Sequence, residues 1–192
     1  MKARLVLLAT MSVVVGLGAC GDPTSLHATL PTSVDTLSVF ALTGTPPTYP
    51  SGISIVASQP VRVDGFASFD VAFDIDDDGN AIIYPVKLIV SSLGTSRPVG
   101  LQKVATKFDS LTAAPKDGYN TDQSVVLTPN ETVAIQSPHN TSGDICAFAL
   151  SPYIYAKIAV DSVNLSSRTL FVRMGVDPNC GFRSFVEGIP TL

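Results

Sequence analysis

The chain of 192 residues is short of the groups from which helices and catalytic sites are usually built. Glutamate, a good helix former, occurs only as Glu131 and Glu187, against 14 aspartates, which favour turns and caps. After residue 20 there is no long apolar pattern of helical period and no internal repeat, which argues against helical bundles and repeat architectures. Histidine occurs twice, as His27 and His139, neither on an evident scaffold. A Gly-x-Ser-x-Gly elbow, a His-Glu-x-x-His helix, a phosphate-cradling glycine loop and a Cys-x-x-Cys pair are all missing. An enzyme would therefore need an unconventional site, and none is expected. The apolar run Leu5 to Gly18 has 14 residues, short of the about 20 that span a bilayer. Basic residues are also few: 12 Lys and Arg stand against 16 Asp and Glu, which makes nucleic acid a poor partner.

What is present begins at the N-terminus. Lys2 and Arg4 precede the apolar run, and Leu17-Gly18-Ala19-Cys20 closes it: a positive region, an apolar region and small residues before a cut, the layout of a secretory signal. The segment resembles the precursor signal of bacterial lipoproteins, whose motif is a Leu, two small residues and a Cys. That resemblance implies a diacylglyceryl group on Cys20, cleavage before it and acylation of the new amino group. It implies a signal peptide (helical) over 1–19; the stretch 20–34, with Pro23, Pro31 and no sustained apolar pattern, reads as a lipid-anchored tether, and the length of 35–192 suits one domain. The protein would then reside in the bacterial cell envelope. Loss of Lys2 and Arg4 leaves 10 basic against 16 acidic residues, a net charge of −6, so the membrane is held through lipid rather than a basic patch.

With 14 Pro, 14 Gly and many Val, Thr and Ser, the domain should be all-β. In Phe66 to Ile75, Ala67, Phe69, Val71, Phe73 and Ile75 alternate with Ser68, Asp70, Ala72 and Asp74, a half-buried strand with its polar residues outward. After the turn Asp76 to Asn80, a second strand is expected to place Ile82, Tyr84, Val86, Leu88 and Val90 on one face. Pro85 should put it at an edge or a bulge. A last hairpin joins Ile154–Val163 to Arg168–Val176 through a four-residue loop, with Val163 opposite Arg168. Eight to ten short strands suggest an antiparallel β-sandwich, with a partly open barrel as the alternative.

Cys146 and Cys180 form an even pair in an exported chain, which predicts a disulfide beyond the open end of that hairpin. Asp74-x-Asp76-x-Asp78-Gly79 matches the opening of a calcium loop, where alternate carboxylates reach one cation. Its twelfth position is Pro85 rather than Glu and its flanks are strands, so a plain acidic turn is expected and calcium is the alternative. Phe108-Asp109-Ser110-Leu111 with Ala114-Pro115, and Tyr155-Ala156-Lys157-Ile158, resemble phrases in haem-binding β-rich lipoproteins of the HmuY type. This implies a small-ligand role, although no haem-ligating His pair carries over. Residues 177–185 read as a stapled terminal segment that packs Phe182 or Phe185 onto the core. The function expected is non-catalytic, either binding or structural, with loops Thr112–Asp122 and Ser137–Asp144 as the surface for a partner.

Overall fold

The computed structural model describes residues 28–63, 69–90, 97–139, 141 and 143–190. The expected signal, Cys20, His27 and the first part of the tether lie outside these residues, as do Phe66 to Ser68.

Ten strands form two antiparallel five-stranded sheets packed as a β-sandwich. The first sheet has the order β1 (Ser33–Phe40), β10 (Thr169–Asp177), β9 (Tyr153–Asn164), β8 (Thr132–Pro138), β6 (Gly100–Val104). The second runs β3 (Gln59–Val61), β2 (Gly52–Ser54), β4 (Val71–Ile75), β5 (Ala81–Pro85), β7 (Val125–Leu127). Between them lie Phe69, Phe73, Ile53, Ile83, Ile135, Ile154, Ile158, Leu170 and Met174, all fully buried. The alternation in the last hairpin is therefore as expected: Ile154, Ala156, Ile158 and Val160 share the core face with Leu170, Val172 and Met174.

Three expectations need correction. The turn of the last hairpin is Leu165–Arg168, with Asn164 opposite Thr169, and a bulge between Phe171 and Val172 shifts the register below it. The strand after the acidic turn stops at Pro85, where a short helical turn α1 (Val86–Ile89) leaves the sheet. Its buried face carries Ala81, Ile83 and Pro85, not Ile82 and Tyr84. The reason is the five-residue turn: it sets Phe73 opposite Ile83, and residues directly opposite share a face. Gly79, at φ 84°, supplies the left-handed position that this turn requires. Finally, Asp70 and Asp74 do not face water: Asp70 is fully buried and Asp74 nearly so.

The outer face of the first sheet is also partly covered. Segments 112–114 and 183–185 pair with each other, through Ala114 N–H to Arg183 O and Phe185 N–H to Thr112 O, and lie across it. Under them Leu111, Ala114, Tyr155 and Phe185 form a second apolar cluster, joined by the edges of Val104, Tyr119 and Tyr153. The tether expected over 20–34 overlaps the domain, since Ser33 and Val34 already belong to β1 and Thr32 pairs with Gly188.

Candidate functional site

One end of the sandwich gathers most of the chemistry-bearing residues. There β1 begins, β10 ends, β8 runs into the 139–152 loop and β9 leaves it. Cys146, in that loop, is bonded to Cys180, three residues past β10, with Cα atoms 5.7 Å apart. The amides of Thr29 and Leu30 donate to Asn179 Oδ1, at 2.8 and 3.0 Å, so the chain joins the domain beside the disulfide. The opposite end carries the β4–β5 turn and the β9–β10 turn, where Leu165 lies against Gly79.

Inside the disulfide end, Asp70 ties the two sheets together. Its Oδ2 accepts from the amide of Ile55 at 2.7 Å, and its Oδ1 from Ser137 Oγ, on the core face of β8, at 2.6 Å. His139 Nε2 is 3.0 Å from Ser137 Oγ and 3.6 Å from Asp70 Oδ1, and an Arg97 nitrogen is 3.8 Å from the same carboxylate. Burial by itself would raise this carboxyl group. The polar contact with His139, the Arg97 charge, the Ser137 hydroxyl and the Ile55 amide together hold it below the ordinary aspartate value. Asp, Ser and His in contact suggest a nucleophile and base, yet the proton arithmetic differs. A serine hydroxyl has one proton; donated to Asp70, it leaves His139 Nε2 as the donor to Ser137 rather than the acceptor from it. All three side chains are enclosed, and the group acts as a buried strut. Sequence reasoning left His139 on an unscaffolded loop because Asp70, to which Ser137 links it, lies far off along the chain.

The calcium candidates are not assembled. Asp74 accepts from Thr43 Oγ1 at 2.8 Å and from Arg168 Nη2 at 3.2 Å, which locks the β9–β10 turn to the second sheet. Asp76 folds back on its own turn, accepting from the amides of Asp78 and Asn80 and from Asn80 Nδ2. These bonds, chiefly those from Asn80, hold its carboxyl low. Asp78 shares no partner with them, and among the described residues no three Cys, His, Asp or Glu side chains converge as metal ligands.

The segments 108–115 and 155–158 meet. Lys157, on the outer face of β9, donates to Phe108 O at 2.7 Å and to Leu111 O at 2.9 Å. Its ammonium also sits 4.3 Å from the centre of the Phe108 ring. Burial lowers the pKa of this amine. It is committed to packing a loop onto the sheet.

Beside that contact lies an open groove of about 560 Å³. Its floor is the outer face of the first sheet, with Gln136 from β8 and Tyr153 and Tyr155 from β9. Its walls are Lys116 to Tyr119 from the first of the two expected loops, and Gly181 with Arg183 from the terminal segment. Tyr119 can close onto the floor because Gly100 beneath it has no side chain: a Cβ there would be 2.7 Å from Tyr119 Cβ. Burial raises the Tyr119 phenol, which donates to Pro115 O at 3.0 Å. Tyr155 accepts from Gln136 Nε2 at 3.0 Å, and its ring lies 6.2 Å from that of Tyr119 and 6.3 Å from that of Tyr153. The Tyr153 hydroxyl and the side chains of Lys116 and Asp117 make no hydrogen bond or ion pair among the described residues. No histidine lines the groove, and His139, the one described histidine, is taken up by Ser137.

Of the two loops expected to form a surface, 112–122 therefore supplies a groove wall, while 137–144 begins as core. The terminal segment does both things at once, burying Phe182 and Phe185 and presenting Arg183. Comparison with protein-family models, with curated proteins and with solved structures returned no match. No helix among the described residues is long and apolar enough to cross a membrane.

Proposed function

We propose that the protein is an envelope lipoprotein, anchored through lipid on Cys20, whose sandwich domain binds a polar, ring-bearing ligand such as a glycan chain without transforming it. The groove carries this reading. It is open rather than enclosed, which suits a length of chain more than a buried small molecule. The half-buried rings of Tyr119 and Tyr153 stand beside the buried Tyr155, with the Tyr153 hydroxyl unspent, an amphipathic surface of the kind used where one face of a ligand is apolar and its edge is wet. Tyr153, Lys116 and Asp117 keep polar groups unspent, and convergent polar groups on a preformed concavity are what orient a ligand.

The reading is tested by titrating the protein with a panel of cell-wall and capsular oligosaccharides. Tyr153→Ala and Arg183→Ala should each weaken any binding by about tenfold, in the range of one good contact. Leu165→Ala, at the opposite end, should leave it unchanged. Binding that survives both groove substitutions, or no binding across the panel, removes the groove as a glycan seat. Turnover of a substrate, lost in a groove variant that folds, would replace binding with catalysis.

A further inference from the structure

The same end of the domain carries an apolar surface that the groove does not use. Residues 145–150 read Ile-Cys-Ala-Phe-Ala-Leu, and only Cys146 is buried. Phe148 is fully exposed, Leu150 is 67 % exposed and Ile145 48 %. Leu30, beside Asn179, and Ile189, next to the Gly188 that pairs with Thr32, are exposed at the same end. Large apolar side chains clustered at one pole mark a contact surface.

Part of its backbone is already paired within the loop. Cys146 N–H donates to His139 O, Ala147 N–H to Asp144 O and Ala149 N–H to Cys146 O, while Asp144 caps the loop by accepting from Thr141. These paired peptide groups cost less to bring to the headgroup boundary, while the amides of the tip keep the water and headgroups of that depth. The disulfide holds the loop against the end of β10, so the apolar side chains stand on a braced base.

We infer that Phe148, Leu150 and Ile145 dip into the bilayer that holds the lipid of Cys20, orienting the domain with its disulfide end on the membrane. This rests on the lipoprotein reading above. Eight residues, Gly21 to Ala28, separate Cys20 from Thr29, a reach of about 30 Å at full extension. A domain of this length is roughly 40 Å across, so the disulfide end is the one kept nearest the surface. Residues 139–152 contain no Lys or Arg. The contact would therefore be made by apolar insertion to headgroup depth rather than by attraction to anionic lipid, in keeping with the acidic chain.

The sequence has no tryptophan, so a single introduced indole reports without background. Phe148→Trp and, as a control at the opposite pole, Leu165→Trp both change exposed side chains. The full lipidated chain is reconstituted on vesicles of zwitterionic phosphatidylcholine, with and without bromine on the acyl chains. Emission from the indole at 148 should be blue-shifted and lose about half or more of its intensity to the brominated lipid, as expected at interfacial depth. The indole at 165 should stay unquenched. If both indoles give water-like, unquenched emission while the protein remains on the vesicles, the insertion is wrong and the anchor stands. Protein that does not stay on the vesicles takes both readings down. A blue shift in full-length Cys20→Ala protein carrying the indole at 148, growing with concentration and without lipid, would assign the patch to a second copy of the chain and overturn the inference.

Discussion

The carboxylate of Asp70 accepts from Ile55 and Ser137, with His139 close by, and faces Arg97, so one side chain ties its own strand to three other segments. Because its folded pKa is held below its unfolded value, its contribution is complete above about pH 4 and is lost as pH falls through the folded value. Asp70→Asn should cost about 3 kcal/mol or more at pH 7, since the Arg97 charge loses its buried counter-charge and one of the two accepting oxygens becomes an NH2 that faces a donor. In urea unfolding, the gap between the two proteins should narrow as pH drops below about 4. A gap independent of pH would mean that the carboxylate charge is not what stabilises the fold. Lys157 is the counterpart on the outer face: a cation whose ammonium is used on two carbonyls and a ring, holding the loop that walls the groove.

At the scale of elements, the 139–152 loop and the terminal segment depend on each other. The disulfide closes a separation of 34 residues, for which the loop-entropy account gives about 3–4 kcal/mol. Reducing it, or the pair Cys146→Ser and Cys180→Ser, should lower stability by that order in a denaturant titration, and protease should then cut first within 141–150. Unchanged stability would show that the strands alone hold this end. The hairpins illustrate where local pattern is enough and where it fails. In β9 and β10 long alternation settles the faces: the turn lies one residue further along than expected, and the bulge sets Val172 opposite Val160, core residue against core residue. In β5 the expected apolar face is inverted, because a run rich in apolar residues on both faces leaves the choice to the turn length and to Phe73 across the sheet.

For the molecule as a whole, the expectation that can be tested most directly concerns the anchor. Protein extracted from the producing cells should partition into detergent, and Cys20→Ala should move it to the aqueous phase with the domain still folded. Partition unchanged by the substitution would place the anchor elsewhere. The all-β class and the cysteine pair were legible because each is a local or compositional signal: an excess of turn formers and an even count of cysteines in the domain. The alternation of β9 was legible for the same reason, since its period lies within one segment. The Asp70 strut and the tyrosine groove were not, because their members are spaced tens of residues apart and meet only when strands pair. Nor could alternation reveal that Tyr155 and Lys157 are buried, since it reports which face of a strand a residue takes but not what lies over that face. The sequence by itself determined the class of fold and the bridge. Strand register and the folding of 105–122 and 182–187 across the sheet decided which carboxylates are interior, what the lysine holds and where a ligand could rest, since those outcomes depend on contacts between distant segments that no local pattern encodes.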